Sequence, residues 1–155
     1  MKGIHLKKAH ITDVRKIHNL INLYAQRNLL LPRSLSEIYD HLRDFWICKE
    51  KETDELVGTC ALGICWEDLA EVRSLAVLER YQRKGIGAGL VKRCIEEAEE
   101  LGIKRIFTLT YIPDYFERFG FRRISKSMLP HKVWADCIKC SKFPDCDEIA
   151  MILKL

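Results

Sequence analysis

Between residues 71 and 89 the chain runs Glu71-Val72-Arg73-Ser74-Leu75-Ala76-Val77, then a short polar turn, then Gln82-Arg83-Lys84-Gly85-Ile86-Gly87-Ala88-Gly89. An apolar strand that passes through glycines straight into a helix leaves several backbone N–H groups at the helix start without intrahelical partners. Those donors can converge on one anion. The glycines let the backbone come close to it with no Cβ in the way, and Arg83 and Lys84 add positive charge at the mouth. The pattern therefore predicts a phosphate seat. It is not a Walker loop, because no Gly-Lys-Ser/Thr follows, and the chain before it lacks the βαβ context of a dinucleotide fingerprint. Spacing alone leaves one alternative, glycines that serve only packing.

The flanking periodicities surround this seat with a mixed sheet. Ile4 and Leu6 alternate with polar neighbours as in a strand, and Thr12 is placed to cap a helix on which Val14, Ile17, Ile21 and Tyr24 recur at helical spacing. His18, beside that stripe, suits a half-buried packing role. Leu29-Leu30-Leu31-Pro32-Arg33 breaks the helix, and Ser34 with Glu37 forms a capping box for a second one. Phe45 to Lys49 and Leu56 to Ile64 read as antiparallel strands around a charged turn, with Gly58 and Gly63 as candidate bends. After the glycines, Ile86, Leu90, Val91, Cys94, Ile95, Ala98 and Leu101 make one apolar stripe, and the acidic residues between them form a solvated face. Arg105 to Leu109, a short helix from Pro113 to Phe119 ended by Gly120, a strand at Phe121 and a closing strand from Ile149 to Leu155 complete the order. The expected class is α/β, a central twisted mixed sheet flanked by helices, in one domain spanning residues 1–155.

Composition narrows the function. The chain has 155 residues with a formal net charge of +4, basic residues interspersed with acidic ones, and 48% hydrophobic content. That suits an anionic small ligand and gives little support to nucleic acid binding. No apolar run approaches the roughly 18 residues of a membrane span, and the charged amino terminus lacks a signal-peptide core, so a cytoplasmic, membrane-free protein is expected. Seven cysteines, four of them in apolar stretches, fit reduced thiols better than a disulfide framework.

Gln82-x-x-Gly85-x-Gly87 after an apolar strand resembles the pyrophosphate loop of the GNAT superfamily of acetyl-coenzyme A dependent N-acetyltransferases. Leu29 to Ser34, Glu71 to Val77 and Tyr115-Phe116-Glu117-Arg118-Phe119-Gly120-Phe121 together resemble the acetyltransferase domain of N-acetylglutamate synthases. The resemblance covers nearly the whole chain. It implies the acyl-CoA N-acyltransferase fold, in which two parallel strands splay to admit the pantetheine arm, and acetyl-CoA as co-substrate. It also implies an amino-acid acceptor, foremost L-glutamate at the entry to arginine biosynthesis, with glutamine as a close alternative. Pairing of two copies through edge strands, as superfamily members often do, is a further expectation.

Acetyl transfer to an amine needs a neutral amine, a polarised thioester carbonyl and a stabilised leaving thiolate. An amino group is largely protonated at neutral pH, so a base must act first. Glu71 is the candidate. By the two-residue period it shares a face with Arg73 and Leu75, it matches the glutamate proposed as base in the synthases, and partial burial would raise its pKa. A solvent-facing strand-end glutamate is its bland alternative, with Glu67 and Asp68 as substitute bases. A backbone N–H near Leu75 or Val77 is expected to polarise the carbonyl, and Leu75, Ala76 and Val77 with Gln82, Arg83, Lys84, Gly85, Ile86, Gly87 and Ala88 to hold the coenzyme. Phe116 stands where many members have a tyrosine, so Tyr115, Tyr111 or Thr110, which falls where the synthases carry a hydroxyl, must serve the leaving thiol. Arg33 and Arg73 are the expected partners of the acceptor's carboxylates, with Lys132 or Lys142 assisting. Arg73 can alternatively pair structurally with Glu71 or Asp68.

The final segment contains His131, Cys137, Cys140 and Cys146, a series able to close a tetrahedral zinc site, although a second Cys-x-x-Cys is missing. Free thiols are the alternative, and no metal is assigned. Two rivals to amino-acid acetylation remain at this level. One is a GNAT enzyme for another amine or a protein amino terminus; the other is a non-catalytic metal-stabilised module.

Overall fold

Alternation over five residues is enough to make the first strand, β1 (Ile4–Lys8), and its register against β2 (Phe45–Glu50) sets Lys8 opposite Trp46. The computed structural model describes residues 3–130, 133 and 147–155. Strands β3 (Leu56–Trp66), β4 (Leu69–Val77), β5 (Arg105–Thr110), β6 (Arg122–Ile124) and β7 (Ile149–Lys154) complete a seven-stranded sheet in the order β1-β2-β3-β4-β5-β7-β6. The β4–β5 pair is parallel while β1–β2, β2–β3, β5–β7 and β6–β7 are antiparallel, so the sheet is mixed as expected. The helices are α1 (Val14–Ala25), α2 (Leu35–Asp40), α3 (Ile86–Glu100) and α4 (Pro113–Glu117).

The chain divides into two compact units. The first runs through Gly63 and resumes over Val72–Glu97; the second takes Ile64–Glu71 and the chain from Ala98 onward. In the first unit, Val14, Ile17 and Ile21 of α1 and Ile38 of α2 pack on Phe45, Ile47 and Ala61. The opposite pleat belongs to α3. A Cβ on Gly58 would stand 3.1 Å from both Ile86 and Leu90, so glycine is what lets β3 and α3 approach closely. A register shift between Cys48 and Lys49, where Cys48 pairs with Gly58 and Lys49 with Leu56, confirms the bend expected at Gly58. In the second unit the core is Leu69, Phe107, Leu129, Val133 and Ala150, with Phe116 stacked edge-on between Tyr115 and Phe121.

Several local expectations are corrected. Thr12 does not cap α1. His10 caps a preceding turn over Ile11–Asp13, with Asp13 Oδ2 returning to the His10 amide at 2.8 Å. Leu101 lies past the end of α3 and is 56% exposed. Glu97 is not part of a solvated acidic face: it accepts from Trp46 Nε1 at 2.9 Å and pairs with Lys8 at 3.0 Å. The helix starting at Pro113 stops at Glu117, and Gly120 follows at φ +95°. By contrast, the Ser34–Glu37 capping box is formed as expected.

Among the described residues, Cys48, Cys60 and Cys94 are buried and Cys65 is half-buried. A hydrogen bond to Cys94 and burial push the Cys60 thiol well up, and burial pushes Cys48 up to about 12. Because the thiolate is the reactive form, Cys48 and Cys60 are expected to resist iodoacetamide at pH 8 in the native protein and to react only after unfolding, as read by peptide mass spectrometry. Rapid native alkylation of either would contradict their placement.

Three charged residues among the described ones are buried, Asp13, Lys49 and Glu148, and the first two pair with each other. Asp13 is fully enclosed, and Lys49 Nζ lies 2.6 Å from its Oδ1 and 3.4 Å from Asp54 Oδ2. Among the described residues no helix is long and apolar enough to cross a membrane. Lys132, Lys142 and the His131, Cys137, Cys140, Cys146 series lie outside the described residues. Within the described residues, no cluster of three or more His, Cys, Asp or Glu side chains is arranged to hold a metal ion.

Candidate active site

Strand β4 holds Glu71 and Arg73 and departs from ideal pleating in one place. Ser74, buried and not a glycine, sits at φ +58°. A left-handed residue in mid-strand is strained, and it breaks the two-residue alternation at that point. Glu71 and Arg73 precede the break and share a side, as expected. Leu75 follows it and does not continue that face; Ala76 instead joins the core cluster containing Phe45, Ile47 and Ala61. Glu71 is half-buried and pairs with Phe107 at the last of the three residue pairs of the β4–β5 ladder. Beyond it, β5 goes on pairing with β7 as far as Thr110 opposite Ile149.

After Val77 the chain makes a short turn over Glu79–Tyr81 and enters the glycine loop. Arg83 at φ +63° and Gly85 at φ +82° are both left-handed, with Lys84 between them. The first bond closing α3 runs from Gly89 N to Gly85 O at 3.0 Å, so the amides of Ile86, Gly87 and Ala88 precede it at the open end of the helix. Gly85 has open space where a Cβ would be, while the Ile86 side chain is buried and anchors the helix start. An exposed cluster of amides at the positive end of a 15-residue helix, with Arg83 and Lys84 exposed beside it, fits a diphosphate. Lys84 Nζ rests 5.5 Å from the Tyr81 ring, whose hydroxyl is held by Glu50.

Gln82 has a different place from the one expected. Its Nε2 donates to Val77 O at 2.9 Å and to Tyr24 Oη at 3.1 Å, and its backbone N–H donates to Glu79 O at 3.1 Å. Its N–H donors are thus committed inside the protein, and it shapes the loop instead of gripping a ligand through them.

Of the two candidate carboxylate partners, Arg33 lies just before α2. Its Nη1 is 3.3 Å from Glu37 Oε2, its carbonyl accepts from Asn22 Nδ2 at 3.2 Å, and its Nε is buried without a hydrogen-bond partner among the described residues. Arg73 Nη2 lies 3.5 Å from Asp44 Oδ2, with His41 on the same carboxylate at 3.4 Å. Burial holds the Asp44 carboxyl above its ordinary range, although Arg73, His41 and Lys8 all pull it down. A Cβ at Gly63 would stand 3.0 Å from Arg73 Cζ, so Gly63 is the floor under that guanidinium. Asp68, a suggested partner for Arg73, is 3.1 Å from Arg105.

In the second unit, Thr110 is buried and its Oγ1 accepts from Ile112 N at 2.9 Å, closing the turn into α4. Tyr115 is half-buried, edge-on to Phe116 and Phe119, with Arg118 5.1 Å above its ring. Glu67 is exposed. Residues that sequence reasoning passed over are Asp44 and Asn22; Ser74 was read only as part of the strand and Gly63 only as a bend. Tyr24 was read only as a helix-stripe residue.

Residues 12–121 match the family model described as acetyltransferase (GNAT) family. The chain belongs to that family. It is accordingly an acetyltransferase, with acetyl-CoA as the acyl donor. It is 38% identical over 97% of its length to an uncharacterized N-acetyltransferase of Chlorobaculum tepidum, covering 96% of that protein. It is 32% identical over 83% of its length to an amino-acid acetyltransferase of Mycobacterium tuberculosis, covering 74% of it. A solved M. tuberculosis structure in complex with CoA and NLQ superimposes with a TM-score of 0.82 at 28% identity, covering 97% of this chain and 99% of that one. The N-acetylglutamate synthase of Neisseria gonorrhoeae, complexed with coenzyme A and N-acetyl-glutamate, gives a TM-score of 0.87 at 27% identity over 98% of this chain, which spans 35% of the synthase.

Proposed function

We propose that this acetyltransferase moves the acetyl group from acetyl-CoA to the α-amine of a free acidic or amide amino acid, L-glutamate foremost and glutamine next. The observation that carries this reading is Arg33, whose Nε is buried and unpartnered among the described residues while Glu37 holds Nη1. An unmet buried donor is costly, and a guanidinium edge is the shape that a carboxylate satisfies with two parallel bonds. Arg73, seated on Gly63 beside Asp44, is the second cationic group assigned to the acceptor. The relatives named amino-acid acetyltransferases and the synthase solved with N-acetyl-glutamate support the same acceptor class.

The roles follow from bond order. Glu71 takes a proton from the acceptor ammonium, the amine attacks the thioester carbonyl, the carbon–sulfur bond breaks, and the second amine proton is passed to the departing thiolate to give the thiol of coenzyme A. Backbone N–H groups of β4 near the Ser74 break are assigned to the carbonyl oxygen, where the disturbed alternation turns peptide units away from regular pairing. Thr110 and Tyr115 are the assigned hydroxyls for the departing thiolate. A thiol with a reference pKa of about 8.5 makes small demands on such an acid. The diphosphate is assigned to the amides from Arg83 to Ala88.

Purified protein assayed with acetyl-CoA against the free amino acids, with thiol detection, tests the acceptor. Saturable thiol release with glutamate or glutamine, and little with alanine or lysine, is expected. Turnover confined to peptides, or absent with every free amino acid, would overturn the assignment.

A further inference from the structure

The end of β4 is held by a closed triangle of hydrogen bonds. Tyr24 Oη donates to Val77 O at 2.5 Å, Gln82 Nε2 donates to the same carbonyl at 2.9 Å, and Gln82 Nε2 also reaches Tyr24 Oη at 3.1 Å. Tyr24 is 8% exposed on the last turn of α1, and its own carbonyl collects the amides of Arg27 at 3.0 Å and Leu29 at 3.1 Å. One residue therefore secures three things: the exit of α1, the terminal carbonyl of β4, and the first side chain of the glycine loop. The next amide, Leu78 N, is tied separately to Val57 O at 2.9 Å.

We propose that Tyr24 is a positioning residue for coenzyme binding, acting through Gln82 to fix where the glycine loop leaves β4. The loop needs such a fixture. Arg83 is a non-glycine residue at φ +63°, and Gly85 follows at φ +82°. Left-handed residues are disfavoured for most side chains, so a loop of this shape relaxes unless its entrance is held. Fixing Gln82 by its side chain and its backbone sets the direction of the next peptide units, and with them the amides that meet a diphosphate. Preorganised donors bind an anion without first losing conformational freedom, so the brace acts on affinity for the coenzyme and not on acyl transfer itself. A hollow of about 460 Å³ bounded by Leu23, Arg27, Leu78, Glu79 and Arg80 borders the Tyr24 ring, so water can replace a deleted hydroxyl and the expected effect is moderate.

The inference needs only the family's use of coenzyme A and is independent of which amine is acetylated. Tyr24→Phe removes one oxygen and keeps the ring; Gln82→Glu keeps the shape and removes both N–H donors. Calorimetric titration of the full chain with coenzyme A should show Kd raised about 3–10-fold in each variant, the range of one to two modest hydrogen bonds. With the best acceptor from the amino-acid screen, KM for acetyl-CoA should rise likewise while kcat and the acceptor KM stay within twofold. The double variant should be no worse than the stronger single one, because both donors serve one carbonyl. Wild-type coenzyme affinity in both single variants would overturn the proposal. So would a lowered melting temperature accompanied by equal losses in coenzyme and acceptor affinity, the mark of a merely structural bond.

Discussion

Replacing Glu71 by glutamine is expected to lower kcat by about 10²–10⁴-fold, the usual contribution of a positioned general base, while coenzyme A still binds. The substitution keeps the volume of the side chain and its place opposite Phe107 at the end of the β4–β5 ladder. It removes the ability to accept a proton, along with the negative charge. The α-amino group of a free amino acid titrates above the roughly 7.7–8.0 of a chain terminus, because its own carboxylate favours the ammonium, so it is mostly ammonium at neutral pH, and an ammonium cannot attack a carbonyl. The deficit should therefore shrink as pH rises and the free amine becomes abundant without help. Thiol-release assays from pH 6 to pH 9.5 measure this, with coenzyme titration as the control for folding. A variant as fast as the parent at pH 7 would move the base elsewhere, with Asp68 and Glu67 next in line. A uniform loss at every pH would assign Glu71 to binding the acceptor.

Features legible in the sequence are those in which one residue type has one local meaning. Glycines at 85 and 87 between an apolar strand and an amphipathic stripe located the loop and the start of α3, because little else explains glycine there. Ser34 and Glu37 three apart gave a capping box that the structure forms. The break in β4 was invisible, since a serine at φ +58° is imposed by its surroundings and not by its own preference. Pairing Arg73 with Asp44 was equally hidden: each lies on a different element, and sequence spacing is silent on contacts made only after folding. The cap at His10 was missed because histidine is an unusual cap, and Thr12 nearby looked like the better one. Gln82 shows the general difficulty. The pattern assigns it to the coenzyme loop, while in the structure its side-chain donors turn to Val77 and Tyr24.

Lys49→Met is expected to cost about 3–5 kcal/mol of stability by leaving the buried Asp13 charge without its partner. Asp13 is fully enclosed and Lys49 is 6% exposed, so neither charge has bulk water to fall back on. Asp13 also holds the His10 amide at the entrance to α1, and an uncompensated carboxylate there disturbs the helix that carries Asn22 and Tyr24. The pair fixes the direction of the pH response. Burial acts to raise the Asp13 carboxyl, but the hydrogen bonds from Lys49 and the His10 amide outweigh it and hold it below its ordinary range. Burial acts to lower the Lys49 ammonium, and its bond and attraction to Asp13 leave it above its ordinary range. An acid whose pKa falls on folding adds stability above its unfolded value, about 3.9, and loses it as pH drops through the lower folded value. A base whose pKa rises on folding adds stability below its unfolded value, about 10.4, and loses it as pH climbs through the higher folded one. The pair thus supports the fold across the neutral range and gives way at both extremes. Urea melts of the parent and Lys49→Met should differ most between pH 5 and pH 9 and converge as pH falls through the lowered Asp13 value, where the carboxyl is protonated and needs no partner. The double variant Asp13→Asn/Lys49→Met should recover part of the loss, since no charge is then stranded. An unchanged urea midpoint in Lys49→Met at pH 7 would show that the ion pair adds nothing to the stability of the first unit.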